Sequence, residues 1–292
     1  VVKVSTIRNF LILLLVCSFS LADVFSPVIV HEIKHVVILC DWDGVPADQM
    51  STVGQFFTAL NTVPMKKSFP IIFSRGFQLM KTMFSGNNDG QLLKGLAANL
   101  DLLIEQEPSL EPYRHKLMYR LNDAQPRIPM VQYLQTLHTQ GIPIIIATNN
   151  DYESLMVKSK KLNRYLAHKG ISPFTYDGIF CGGSSPQIVG NEAPNGLPAG
   201  YVCAGKDSAE YFEKIFAFVE TEFGYNRNDT LYVFIDDNKK NIALARTVAQ
   251  QEQVMLCTVH RNHKDITVIQ EMRNALSQFP HSDCSSYKVA IN

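Results

Sequence analysis

Residues 36–48 read VVILCDWDGVPAD. An apolar run ends in Asp41, Trp42, Asp43 and Gly44, which puts two carboxylates one residue apart at the end of what reads as a buried strand. In extended chain, residues two apart face the same side, so Asp41 and Asp43 can point into one pocket. Other chemistry-bearing side chains follow similar runs. Thr148, Asn149, Asn150 and Asp151 come after IPIIIA, and Asp236 and Asp237 come after LYVFI. Lys206 lies in AGKDSAE, ahead of a helical pattern. Clustered carboxylates repel one another and need a counter-charge. A hard divalent cation with oxygen ligands supplies it, and Mg²⁺ suits a site shared with a phosphate. Lys206 adds a second positive charge. This set suits phosphoryl transfer, in which a protein holds and neutralises anionic oxygens.

The elements that must position these residues are legible as short apolar runs bounded by turn residues, at 36–40, 142–147, 177–181, 231–235 and 254–258. Between them lie helical patterns: MVQYLQTLHTQG stopping at Gly141, YESLMVKSKKLNRYLAHKG stopping at Gly170, SAEYFEKIFAFVETEFG stopping at Gly224, and KKNIALARTVAQQ. Nearly continuous apolar strands alternating with helices predict an α/β fold, a doubly wound parallel sheet covered on both faces. Such sheets bind ligands beyond the carboxyl ends of their strands, where these side chains fall. The alternation breaks from about residue 50 to 123, where the patterns are helical. A structureless loop of that length is implausible, so the segment reads as a small, mostly helical subdomain inserted after the first strand. The Gly-, Pro- and Ser-rich stretch 183–202 reads as a loop facing the same rim.

The motifs ILCDWDGV, IIIATNN, GKDSAE and YVFIDDNKKNIALA, in this order and each after its element, resemble those of the haloacid dehalogenase-like (HAD) superfamily of phosphohydrolases. A secreted bacterial branch is the nearest in kind. The resemblance covers roughly residues 35–260. It implies a HAD-like Rossmannoid core over 23–49 and 124–292 with a cap over 50–123. By the same resemblance Asp41 is the nucleophile that forms an aspartyl-phosphate, and Asp43 is the general acid and base. Asp43 favours a phosphatase over the dehalogenase branch, which lacks this acid. Thr148, the Asn149 backbone and Lys206 bind phosphate, with Lys206 also pairing Asp41. Mg²⁺ is held by Asp41, the Asp43 backbone carbonyl and Asp237, with Asp236 as a further or supporting ligand. The implied substrate is a small phosphomonoester, as is usual for capped members. Two departures stand out: Val45 replaces a frequent Thr, and Asn241 stands where a second acid often follows. A carboxylate nucleophile is expected to be ionised near neutral pH without a base to activate it.

Each residue also has a plainer reading when taken singly. Asp41 and Asp43 fit a surface turn, Asp236 or Asp237 a helix N-cap, Thr148 a strand-end hydroxyl, and Lys206 a solvated lysine. Trp42 reads as packing against the inserted segment or as lining the pocket mouth. His260 and His263 read as solvated loop.

The chain has 292 residues and balanced charge, with 27 Lys and Arg against 27 Asp and Glu. Nothing in it indicates a nucleic-acid or anionic-membrane surface. Residues 1–22 carry Lys3 and Arg8, then an apolar run closing on Ser20 and Ala22. This reads as a signal peptide leaving no membrane span, and hence an exported protein, periplasmic or secreted, of a bacterium. Five cysteines follow it, none in a zinc spacing. Cys40 and Cys257 read as core thiols, while Cys181 and Cys203 are candidates for a disulfide. Two functions compete at this point: a Mg²⁺-dependent phosphatase, and an exported binding or surface protein that keeps the fold without catalysis.

Overall fold

A computed structural model describes residues 33–49, 58–64, 96–182, 200–203, 205–261 and 264–277. The proposed signal peptide, much of 50–123, all of 183–199, His263 and Cys284 lie outside the described residues.

Strand β1 (His35–Cys40) is the centre of a six-stranded sheet. The other strands are β4 (Ile144–Thr148), β5 (Gly178–Gly182), β6 (Gly200–Cys203), β7 (Thr230–Asp236) and β8 (Met255–His260). Their order is β6-β5-β4-β1-β7-β8, and every pairing is parallel. The chain runs outward from β1 through β4 to β6, then crosses to β7 on the other side. The order therefore reverses at β1, the usual place for a ligand crevice in an open α/β sheet.

The strands are apolar throughout because both faces are covered. Val36, Ile38 and Cys40 of β1 pack with α3 (Ile128–Thr139), α4 (Tyr152–His168) and α7 (Asp265–Ser277). Val37 and Leu39 pack with α5 (Ala209–Phe223) and α6 (Lys239–Gln251). Alternation along the strand sends successive side chains to opposite layers. On α5, Tyr211, Phe212, Ile215, Phe216 and Val219 form one stripe at helical spacing, fully buried on the sheet. Phe216 meets Tyr232 edge-on at 4.8 Å between ring centroids. The helix stops at Gly224, whose φ of 67° is left-handed. Asp151 caps α4 by accepting from Ser154 N at 2.8 Å.

A two-stranded antiparallel ribbon, β2 (Ala47–Gln49) with β3 (Ala124–Pro126), joins the two ends of the inserted segment. Between them the described residues are helical: 58–60, α1 (Leu96–Gln106), a 3₁₀ turn (Pro108–Tyr113) and α2 (Arg114–Leu121). They bury their own cluster, including Leu60, Leu100, Leu103, Leu110, Leu117 and Met118. Arg114 to Glu153 at 2.8 Å and Lys161 to Asp123 at 2.6 Å tie this cluster to α4. No helix among the described residues is long and apolar enough to cross a membrane.

Several expectations change in detail. The strands run one or two residues further toward their carboxyl ends than the apolar runs indicate. The end of the 183–202 loop is instead edge strand β6, and α7 follows β8 unannounced by any motif. Cys181 is buried and lies outside any disulfide, so the Cys181–Cys203 bridge is not formed. The register explains why: Cys181 lies opposite Val202, and Cys203 lies opposite Gly182. Trp42 shares the lining of a cavity with Tyr119 and Asn122 of the inserted segment. It lies in the main core against Phe174 and Tyr176, at 6.2 and 6.4 Å between ring centroids.

Candidate active site

Register aligns the strand ends that build the site. Cys40 lies opposite Ile146 on one side and Ile235 on the other. Asp41, Thr148 and Asp236 therefore emerge on one rim. Asp41 N donates to the Ile235 carbonyl at 2.9 Å, which fixes the first residue past β1.

Lys206, only 1% exposed, is the hub of that rim. Its Nζ donates to Asp41 Oδ1 and Asp236 Oδ2, both at 2.7 Å. These burials remove the plainer readings, since Asp41 is 6% exposed and is no surface turn, and Lys206 is not solvated. One carboxylate oxygen from each of Asp41, Asp236 and Asp237 lies within 4.8 Å of the others. Three acids against one ammonium leave unbalanced negative charge, and an all-oxygen donor set is what Mg²⁺ prefers.

The three acids are not equivalent. Asp236 is fully buried and saturated. Its Oδ1 accepts from Asn238 N at 2.7 Å and from Asn241 Nδ2 at 3.2 Å, and its Oδ2 accepts from Lys206 and from Asn241 at 3.1 Å. It is placed to orient Lys206. Asp237 is exposed, and its side chain rests on the Gly44 backbone. Gly44 has φ +81°, and a Cβ there would come 2.8 Å from Asp237 Oδ2. The close approach requires glycine for both reasons. The N-cap of α6 is Asn238, which accepts from Lys240 N at 2.9 Å, so neither Asp236 nor Asp237 serves as that cap.

Burial changes the electrostatics expected from sequence. Loss of hydration pushes the Asp41 carboxyl up to about 8. The Lys206 ammonium opposes this, while Asp236 and Asp43 add to it. Partial loss of hydration on the inner side of Asp237 raises its carboxyl as well, with Asp236 contributing. Burial thus works against the ionised form of Asp41, and positive charge beyond that of Lys206 would favour it.

Asp43 faces a different set of partners. Lys158 Nζ donates to both of its oxygens at 2.8 Å, and Asn150 Nδ2 donates to Oδ2 at 2.8 Å. Its side chain is not part of the three-acid group. Lys158 is 4% exposed and also donates to Asn150 Oδ1 at 2.8 Å. Thr148 Oγ1 accepts from Asn150 Nδ2 at 2.8 Å and from Asn150 N at 3.2 Å. Its own hydroxyl proton is thereby left to donate elsewhere. Asn149 acts through its side chain, whose Oδ1 accepts from Lys206 N at 2.9 Å. The structure thus joins Asp41, Lys206, Asp236 and Asp237 directly, attaches Asn149 to Lys206, and links Thr148 to Asp43 through Asn150. His260 is the last residue of β8 rather than loop, and its Nε2 lies 3.0 Å from the Asp237 carbonyl.

Sequence reasoning missed Lys158 and gave Asn150 no role. Lys158 sits mid-helix among Lys160 and Lys161, and only its burial marks it out. Arg127, also missed, donates to the Gly44 carbonyl at 3.2 Å and pairs with Asp265 at 2.8 Å.

No family model and no curated protein matches the chain. Solved structures of HAD-superfamily hydrolases resemble it. A HAD-family enzyme from Bacteroides thetaiotaomicron, in complex with magnesium and inorganic phosphate, is 14% identical over 81% of this chain and 98% of its own, with a TM-score of 0.43. The L-2-haloacid dehalogenase of Xanthobacter autotrophicus, with chloropropionic acid covalently bound, is 15% identical over 89% and 85%, with a TM-score of 0.40. CbbY from Rhodobacter sphaeroides, in complex with phosphate, is 14% identical over 78% and 87%, with a TM-score of 0.40. At such scores the likeness carries no weight for function, which rests on the site's own residues.

Proposed function

We propose that this chain is a Mg²⁺-dependent phosphohydrolase of the HAD type, cleaving a small phosphomonoester through an aspartyl-phosphate on Asp41. The observation that carries the reading is the buried Asp41–Lys206 pair at 2.7 Å within a three-carboxylate group. Asp41, Asp237 and, in support, Asp236 would hold Mg²⁺, with the Asp43 carbonyl. The ion supplies positive charge that keeps Asp41 ionised and offsets the phosphoryl oxygens.

The protein's own residues account for the rest. The Thr148 hydroxyl and Lys206 bind phosphoryl oxygens and orient phosphorus toward Asp41. An Asp41 oxygen bonds to phosphorus as the bond to the leaving oxygen breaks, and Asp43 gives that oxygen its proton. Water then attacks the phosphorus of the acyl phosphate while Asp43 takes its proton, releasing inorganic phosphate and restoring Asp41. For this Asp43 must leave Lys158, a small motion at a partly exposed side chain. The helical segment within 50–123 fits a cap that excludes water from the intermediate. Residues 1–22 favour an exported enzyme.

The test is hydrolysis of a generic aryl phosphate and a panel of small phosphomonoesters, with Mg²⁺, with chelator, and with Asp41→Asn. Metal-dependent turnover lost in Asp41→Asn is expected. No turnover on any ester would instead favour an exported binding protein that retains these residues.

A further inference from the structure

The Asp43 carboxylate is held by two side chains that have no part in the chemistry above. Lys158 Nζ, from α4, donates to Oδ1 and to Oδ2, both at 2.8 Å, and Asn150 Nδ2 donates to Oδ2 at 2.8 Å. The two holders are themselves joined, because Lys158 Nζ also donates to Asn150 Oδ1 at 2.8 Å. Asn150 Nδ2 reaches Thr148 Oγ1 as well, at 2.8 Å. One amide therefore touches both the hydroxyl proposed to bind a phosphoryl oxygen and the carboxylate proposed to move the proton. Its orientation is fixed, since turning it over would set its oxygen against Asp43 Oδ2 and its NH₂ against the Lys158 ammonium.

Lys158 is 4% exposed, although Lys160, two residues on, lies in solvent. Burying an ammonium is costly unless it is paired. An apolar side chain there would avoid that cost, so stability alone does not account for a lysine. Its bonding also leaves the two Asp43 oxygens unequal. An ionised carboxylate offers about two acceptor sites on each oxygen. Oδ2 has two donors and is filled, while Oδ1 accepts from Lys158 alone among the described residues. The open site is therefore on Oδ1. The same hold keeps this side chain out of the group formed by Asp41, Asp236 and Asp237, into which a cation would draw it.

We infer that Lys158 and Asn150 are positioning residues for proton transfer by Asp43. Asn150 is the pivot that keeps Oδ2 beside Thr148. Lys158 holds the carboxylate away from the ion-binding acids, and Oδ1 is the oxygen that carries the proton. Oδ1 swings from Lys158 to the leaving oxygen, which takes that proton and the electron pair of the breaking P–O bond. It later accepts a proton from the attacking water. Neither Lys158 nor Asn150 touches substrate; both act through Asp43. The inference rests on the phosphohydrolase reading and adds to it the side chains that set the reach of Asp43.

Leaving groups supply the test. An alkoxide must be protonated as it departs, whereas a dinitrophenolate is stable without a proton, so only the alkyl ester depends on where Asp43 is held. The ratio kcat/KM reports events up to formation of the aspartyl-phosphate, so the second half-reaction does not enter. In Mg²⁺, Lys158→Met is expected to lower kcat/KM about tenfold or more for phenethyl phosphate, and less than about threefold for dinitrophenyl phosphate. In an Asp43→Asn background the same substitution is expected to cause no further loss on either ester, because Lys158 acts through Asp43. Lys158→Gln, which keeps a donor, is expected to give a smaller split of the same kind, and it is read in the same way if Lys158→Met does not fold. Equal losses on the two esters would reduce Lys158 to a structural role and overturn the inference. So would no loss on either ester, or an undiminished loss in the Asp43→Asn background. Each of these results leaves the phosphohydrolase reading standing. No turnover of either ester by the unaltered chain, or turnover that survives Asp41→Asn, overturns that reading and this inference together.

Discussion

Lys158 grips both carboxylate oxygens of Asp43 at 2.8 Å, across 115 residues of sequence. The lysine is almost fully buried, while the Asp43 side chain keeps 21% exposure. This pair secures the loop after β1 to α4, and it sets the resting position of the side chain proposed as proton donor. A double-mutant cycle with Lys158→Met and Asp43→Asn is expected to show a coupling of about 1–3 kcal/mol in unfolding free energy. Additivity within about 0.5 kcal/mol would mean the pair contributes nothing to stability.

Lys206 has a heavier structural role. Removing its charge leaves Asp41 and the fully buried Asp236 without their shared cation. Lys206→Met is expected to destabilise the metal-free chain by about 3–5 kcal/mol in denaturant titration. A loss under about 1 kcal/mol would show that the carboxylates find compensation elsewhere, and would weaken the account of the rim as a single charge network.

Metal binding and pH are linked through Asp41. Burial raises its carboxyl to about 8 in the folded, metal-free chain, against about 4 when unfolded. Between those values the folded state keeps a proton that the unfolded state has released, so stability is full at low pH and falls as pH rises toward 8. Mg²⁺ takes the ionised form and should release protons on binding. The rise in melting temperature on adding Mg²⁺ is therefore expected to be larger near pH 8 than near about pH 5.5. A pH-independent rise would place the ion away from Asp41.

Gly44 offers a test of how closely the rim is packed. Gly44→Ala would drive a Cβ into Asp237 from a backbone with φ +81°. Left-handed strain alone costs about 1–2 kcal/mol. Gly141 has a similar φ of +82° but open space around it, so Gly141→Ala carries the strain without the collision. Both variants should lose comparable strain energy, but only Gly44→Ala should weaken Mg²⁺ binding in calorimetry, by about tenfold or more. Equal Mg²⁺ affinity in the two would exclude Asp237 as a ligand.

The sequence by itself determined the layered sheet and the side chains at its rim. Fully buried parallel strands must be apolar on both faces, so 36–40 and 231–235 announce themselves without help from distant residues. The acids that follow each run stand out because charge is costly at a buried strand end unless something compensates it. What surrounds these acids was decided only by the tertiary structure. Lys158 looks like its solvated neighbours until α4 turns it toward Asp43, because helical pattern fixes a face but not what that face meets. Edge strand β6 is too short to stand out from the loop before it, and α7 gains its partners only once β8 is in place. The raised Asp41 carboxyl could not be read from Asp-Trp-Asp-Gly, since desolvation depends on how much of the rest of the protein closes over it. The pairing of Cys181 with Val202 was likewise fixed by strand register, which cysteine spacing does not encode.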